Sequence, residues 1–202
     1  MMSLELLPLN RRSTLRLFVI GAVSLLAGGH APYGQWGVYR KRYLLILTSR
    51  DDPSGYELGT RVAAILAERL PESRARVSRA PNKERIASLI SSKQMDVALM
   101  HRDDAAGWRA GTSPFSDYGP VLLHTIVAVG DYHLVCRDDF PARHAWLIAE
   151  ALSKDQHSIR VSGEASGARV PLHPGAHAYV SGAPLPAAEP TTHAGHDHEH
   201  AY

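Results

Sequence analysis

The chain has 202 residues, a formal net charge of +2 and a hydrophobic content of 45%. That length allows one or two domains, and the nearly balanced charge gives no indication of a nucleic-acid partner. The single cysteine, Cys136, excludes a disulfide within the chain. Because it follows the apolar residues Leu134 and Val135, we predict a buried, unreactive thiol.

The first 42 residues have the features of an export signal or a membrane anchor. Residues 10–16, NRRSTLR, resemble a twin-arginine export signal, and the uncharged run Leu17–Tyr39 is long enough to span a bilayer. Aromatic residues at its end, followed by Arg40–Arg42, resemble an interfacial anchor. We predict a hydrophobic N-terminal helix that is either cleaved or kept as an anchor, and a periplasmic protein held at the inner membrane.

The next part of the chain alternates between strand and helix patterns. Apolar runs predict strands, and apolar residues at helical spacing predict helices between them. This alternation predicts an α/β fold with an open, mostly parallel sheet and helices on both faces. The predicted elements are a strand over Tyr43–Thr48, a helix from Tyr56 to Leu70, a strand over Ala75–Ser78, a helix around Ile86–Ile90 and a strand over Val97–Met100.

Two further strands and one helix are predicted after a glycine-rich loop. Gly130 and Asp131 between two apolar runs indicate a hairpin, and Pro141 precedes the last predicted helix. Residues 105–119 are predicted as a loop, and residues after Val180 as disordered. The domains are therefore 1–42, a signal or anchor; 43–180, one α/β lobe; and 181–202, a His-rich tail. The elements are strands Val121–Val129 and Tyr132–Cys136 and helix Ala142–Leu152.

A ligand site is predicted at the carboxyl ends of the parallel strands, where open α/β sheets bind ligands. Arg102 could pair with a ligand carboxylate, or it could lie in a solvated turn with His101. Asp51 and Asp52 could attract a cation or an amine, or cap the following helix, and Asn82 is also a good N-cap. The predicted ligand-binding residues are Ser49, Asp51, Tyr56, Asn82, His101, Arg102 and Asp103.

Three segments carry a resemblance to a known family. Residues 95–104 (MDVALMHRDD), 130–152 (GDYHLVCRDDFPARHAWLIAEAL) and 170–180 (VPLHPGAHAYV) resemble, in this order, TAXI-type periplasmic solute-binding proteins that serve TRAP transporters. The resemblance implies one lobe of a type II periplasmic-binding-protein-like fold. It also implies a small organic anion or amino acid as ligand and TRAP-type membrane subunits as partners. About 20 residues separate the predicted strand Val97–Met100 from the predicted strand Val121–Val129, which is too few for a second lobe.

The predicted function is exported, non-enzymatic solute binding. No Gly-x-Ser-x-Gly, paired-thiol, Walker or dinucleotide motif occurs in the chain. A first alternative is a periplasmic protein-interaction module with a decayed solute site, in which a second lobe is missing and the aromatic residues Trp108, Phe115 and Tyr118 are exposed to a protein partner.

A second alternative is a metal-binding accessory protein that acts through its tail. His193, His196, His198 and His200 stand within eight residues with Asp197 and Glu199. Imidazole and carboxylate ligands suit zinc, nickel or copper, and no other cofactor is expected. The histidines of the folded part are predicted as structural rather than as ligands: His124, His133, His144 and His173.

Overall fold

The computed structural model describes residues 43–155, 161–162 and 170–187, in which strands and helices alternate. The predicted N-terminal helix and the tail histidines lie outside these residues. No helix within the described ranges is both long and apolar enough to cross a membrane. The elements are β1 Leu45–Ser49, α1 Pro53–Arg69, β2 Arg76–Ala80, α2 Lys83–Ser91, β3 Val97–His101, α3 Arg102–Ala110, β4 Leu123–Val129, β5 Tyr132–Arg137, α4 Ala142–Ser153, β6 Val161–Ser162 and α5 Pro174–Val180.

The strands form one six-stranded sheet in the order β2-β1-β3-β5-β4-β6. β1 pairs in parallel with β2 and β3, whereas the β3–β5, β5–β4 and β4–β6 pairs are antiparallel. β1, β2, β3 and β4 therefore point in one direction, and β5 and β6 in the other. The sheet is open and mixed, and most of its strands share one direction.

Helices cover both faces of the sheet, as predicted for an α/β fold. Ile46 of β1 packs in a core with α1, α4 and α5, and the next residue, Leu47, packs in a second core with α2 and α3. Successive side chains of a strand point to opposite faces, so β1 contributes to both cores. α1 and α2 therefore lie on opposite faces of the sheet.

The prediction of a loop over residues 105–119 is wrong in its first part, because α3 occupies residues 102–110. Asp103 and Asp104 stand in the first turn of α3, where carboxylates favour the helix dipole. Gly111 ends the helix with a left-handed φ of 67°. Gly107, which supported the loop interpretation, lies inside the helix. The 20-residue connection therefore contains a helix and a short 3₁₀ turn, Ser116–Tyr118.

Arg137, the last residue of β5, joins the second core to two loops. Its guanidinium donates hydrogen bonds to the carbonyls of Ile90 (3.0 Å) and Met95 (2.7 Å). It also donates to the carboxylates of Asp139 (2.7 Å) and Asp96 (3.3 Å). Burial alone would raise the pKa of Asp139, but hydrogen bonds from Lys93 and Arg137 outweigh burial and hold the pKa below its usual range.

The folded part continues beyond the predicted boundary at Val180. The Trp146 indole donates a hydrogen bond to the carbonyl of Ala183 (3.1 Å), and Arg143 donates one to the carbonyl of Pro186 (2.9 Å). Residues 181–187 therefore pack along α4. Arg143 and Tyr43 line the same cleft, of about 450 Å³, at the amino ends of β1 and β3. Both ends of the described core thus lie at this edge of the sheet.

Candidate functional site

A cleft of about 300 Å³ lies at the opposite edge, at the carboxyl ends of β1 and β3. From β1 the chain moves to β2 on one side, and from β2 it returns to β3 on the other side. The carboxyl ends of β1 and β3 therefore form the switch point at which open α/β sheets bind ligands. The inner wall is apolar, with Ile86, Leu99 and Met100, and the remaining lining is polar.

Asp52 and Tyr132 form the β1 side of this cleft. The backbone N–H of Gly55 donates to the Asp52 Oδ1 (2.9 Å), so Asp52 caps α1 as one of the sequence interpretations held. The Tyr132 hydroxyl donates to the same carboxylate oxygen (2.9 Å). Burial, and then the hydrogen bond to Asp52, raise the pKa of Tyr132 to about 12. The phenol is therefore a fixed donor at neutral pH.

Lys83 and Asp104 form the other side. The Lys83 Nζ lies 2.7 Å from the Asp104 Oδ1, and both side chains are partly exposed. His101 ends β3 and caps α3, since its Nδ1 accepts a hydrogen bond from the backbone N–H of Asp103 (3.3 Å). The His101 ring also stands edge-on to the Tyr132 ring, with centroids 5.8 Å apart. The imidazole thus contacts the tyrosine, and the ion pair lines the same cleft.

The structure brings together three of the predicted ligand-binding residues in this cleft: Ser49, Asp51 and His101. The other four do not line it. The Arg79 guanidinium lies 4.4 Å from the centroid of the Tyr56 ring, and Asn82 caps α2 by accepting from the Arg85 N–H. Arg102 lies on the outer side of α3 with two carboxylates near it, those of Asp103 (3.8 Å) and Asp131 (3.7 Å).

Asp52, which the sequence offered either as a contact for a cation or an amine or as a helix cap, also lines the cleft. The lining residues that were not proposed as ligand contacts are Lys83, Glu84, Asp104 and Tyr132. The first three of these stand in or beside the strand-end loops that the sequence did locate. Only Tyr132 comes from elsewhere, and its place follows from the antiparallel pairing of His101 with Tyr132. The cleft therefore holds four carboxylates, those of Asp51, Asp52, Glu84 and Asp104, against one lysine.

The prediction of an exposed aromatic patch is wrong. Trp108 and Phe115 are fully buried, and Tyr118 is partly buried against them in the second core. The helix α3 turns Trp108 inward, where its ring stacks on Phe115 with centroids 5.9 Å apart. In the described part of the chain, the exposed large hydrophobic residues are Leu122 and Val180. The protein-interaction alternative was based on an exposed aromatic surface, and these three residues do not form one.

The cysteine and most of the core histidines occupy structural positions. Cys136 is fully buried, as predicted, and burial raises the pKa of its thiol. His133 is buried beside the Thr125 hydroxyl (3.1 Å), and His173 is buried as well, whereas His144 is exposed. No group of three or more His, Cys, Asp or Glu side chains within residues 43–155 and 170–187 could hold a metal ion.

Comparison with known proteins gives no family. No family model matches this chain, and no curated protein matches it significantly. The resemblance to TAXI-type solute-binding proteins therefore stays a prediction from the sequence.

Proposed function

We propose that this domain is a non-enzymatic binding lobe that takes a small amine-bearing solute in the carboxyl-edge cleft. The observation that carries the proposal is the charge of that cleft, which four carboxylates line together with one ammonium group, that of Lys83, which pairs with Asp104. An organic anion, one of the ligands implied by the resemblance, would meet mainly like charge there. An amine would gain complementary charge, and an amino acid would do so through its ammonium group.

The wider role that we propose is that of an exported solute-binding-like protein of the periplasm. The order of the resembling segments and the twin-arginine-like N-terminus support this role, and so does the position of the cleft at the switch point of the sheet. A single open lobe encloses less of a ligand than a closed pocket, which buries about 70–90% of the ligand surface. We therefore expect affinities of about micromolar or weaker.

Lys83 allows a test in which the removal of a charged side chain should strengthen ligand binding. Replacing Lys83 with methionine removes the ammonium group that competes with the ligand for Asp104, so a diamine should bind about twofold to fivefold more tightly, the range of a partly exposed charge pair. Asp51→Asn and Asp104→Asn should each weaken binding by a similar factor. Isothermal titration calorimetry of the full chain with 1,4-diaminobutane at low ionic strength measures all three changes.

Matched controls lie outside the cleft. Lys154 pairs with Glu150 on α4, and Asp117 is exposed in the 3₁₀ turn, so Lys154→Met and Asp117→Asn should leave the affinity unchanged. Weaker diamine binding by Lys83→Met, or tighter binding of succinate than of the diamine by the unaltered chain, would refute an amine site.

A second candidate function, metal binding by the tail, is favoured by the four histidines between residues 193 and 200. A chain that ends at Ala187 should bind zinc at least tenfold more weakly than the full chain, while its melting temperature stays the same. Zinc binding by the full chain should weaken below pH ~6.5 as the histidines become protonated. Equal zinc affinity of the two chains in calorimetry would place the metal site elsewhere.

A further inference from the structure

Two histidines meet beneath the start of α5. His124 on β4 and His173, which directly precedes α5, lie with their ring centroids 5.7 Å apart and nearly perpendicular. His173 is only 2% exposed. Each ring has one buried nitrogen without a hydrogen-bond partner among the described residues, Nδ1 of His124 and Nε2 of His173. This pair takes no part in the carboxyl-edge cleft.

His173 acts as the N-cap of α5 through its ring. The backbone N–H of Gly175 donates to the His173 Nδ1 (3.2 Å), so the neutral ring carries its proton on Nε2. The usual N-cap residues are Ser, Thr, Asn and Asp, which accept this hydrogen bond throughout the neutral range. A doubly protonated imidazole has no acceptor nitrogen. The cap of α5 therefore exists only while His173 is neutral.

The surroundings lower the pKa of both histidines and so favour their neutral forms. Burial lowers the pKa of His124, and the positive charge of Arg109 on α3 lowers it further. Burial also lowers the pKa of His173, and proximity to His124 adds to that effect. Asp138, in the turn between β5 and α4, raises the pKa of both rings, and the backbone carbonyl of Phe140 raises the pKa of His173. Burial and repulsion outweigh these contributions.

A third histidine, which is buried, is connected to the same segment. His133 on β5 contacts the Thr125 side chain. The Thr125 backbone N–H donates a hydrogen bond to the Pro171 carbonyl, and the His173 backbone N–H donates one to the Thr125 carbonyl (both 2.8 Å). Burial lowers the pKa of His133, and Arg102 and His101 lower it further. A role of His173 has to be distinguished from that of His133, and also from those of His177 in α5 and of His144, which lies two residues before Trp146 on α4.

The docking of α5 also determines where residues 181–187 lie. Gly175 contacts the backbone of Ala142 so closely that an added Cβ would be 2.0 Å from the Ala142 carbonyl oxygen. The Trp146 ring stands edge-on to Tyr179 (5.3 Å) and donates its hydrogen bond to Ala183. Trp146 on α4 therefore reports whether α5 is docked, and Trp108 in the other core does not.

We propose that His124 and His173 form a proton-sensitive latch that releases α5 and residues 181–187 from α4 in mild acid. An undocked His173 titrates near its ordinary pKa of about 6.5, and the docked ring titrates lower. The docked state is therefore stabilised above pH ~6.5 and loses that stability as the pH falls from there toward the lowered pKa. The segment responds before the rest of the domain because its cap itself is lost.

Fluorine NMR of the full chain labelled with 5-fluorotryptophan tests the latch between pH 7.5 and 5. The signals of Trp108 and Trp146 are assigned with the variants Trp108→Phe and Trp146→Phe. We expect the Trp146 signal to change with a midpoint below pH ~6.5 while the Trp108 signal stays constant. Gly175→Ala, which clashes with Ala142, should give the acid form of the Trp146 signal already at pH 7.5.

Two variants separate His173 from other titrating groups. His173→Asn keeps a side-chain acceptor for the Gly175 N–H but does not titrate, so it should abolish the Trp146 transition. His124→Gln removes the repulsion between the two rings, so protonation of His173 costs the docked state less and the midpoint of release should move to lower pH. An unchanged Trp146 signal in acid, a joint change of both tryptophans, or an unaltered midpoint in both histidine variants would overturn the latch.

Discussion

Replacing Trp108 with alanine should lower the free energy of unfolding by about 3–5 kcal/mol, the usual cost of truncating a buried tryptophan. The side chain is 0% exposed and stacks on Phe115, which is also 0% exposed. Its removal would leave a cavity between α3 and the sheet that the neighbouring side chains fill only in part. Urea denaturation of the full chain, followed by circular dichroism, measures this change.

Two control variants test whether the loss of stability in Trp108→Ala comes from the cavity in the core. Leu122 is 60% exposed, so Leu122→Ala should change the free energy of unfolding by less than about 0.5 kcal/mol. Trp108→Phe should be much milder than Trp108→Ala, because it keeps an aromatic ring and removes an indole N–H that has no partner among the described residues. Wild-type stability of Trp108→Ala would contradict the buried position and restore the exposed aromatic patch.

Replacing Arg137 with methionine should destabilise the domain by about 3–5 kcal/mol, as expected when one partner of a buried polar network is removed. The substitution keeps most of the volume but leaves the carbonyls of Ile90 and Met95 without their donor. It also removes the hydrogen bond to Asp139. The same urea experiment applies, and the pH dependence gives a second readout.

The loss should depend on pH, because Arg137 helps to hold the pKa of Asp139 low. A carboxyl with a lowered pKa adds stability above its unfolded pKa of about 3.9, and this stability is lost as the pH falls through the folded value. The difference between Arg137→Met and the unaltered chain should therefore shrink in acid. Lys154→Met, which breaks an exposed pair with Glu150, should cost less than about 1 kcal/mol. Equal losses in both variants would contradict a structural role of Arg137.

The sequence predicted the elements of the fold better than their pairing. Continuous apolar runs and helical spacing located β1, α1, α2, β3 and α4 because each has an apolar pattern of its own. The antiparallel position of β5 between β3 and β4 could not be read from local pattern, since it depends on which strand edge the hairpin meets. α3 was missed because Gly107 and Gly111 signal loops equally well, and only Gly111 ends the helix.

The sequence predicted where the candidate site lies, but it predicted only some of the residues that line it. The rule that ligands bind at strand ends located the loops, and the cleft lies among them. Side-chain directions decided the rest, because a helix N-terminus turns some of its residues outward. Arg102 and Asp103 point away from the cleft, while the next residue, Asp104, faces Lys83. The roles of Tyr132 and Arg137 depend on contacts between distant parts of the chain, which no local pattern contains.

The meeting of both ends of the described core at one edge has a practical consequence for handling the molecule. Tyr43 and Arg143 line one cleft, and Arg143 donates a hydrogen bond to Pro186. This cleft lies at the edge of the sheet opposite the acidic carboxyl-edge cleft. A short linker could therefore join the two ends, and new termini could be opened between the exposed residues Ser116 and Asp117. A sensor surface that captured residues 43–187 by either end of this core would present the acidic cleft to the solution.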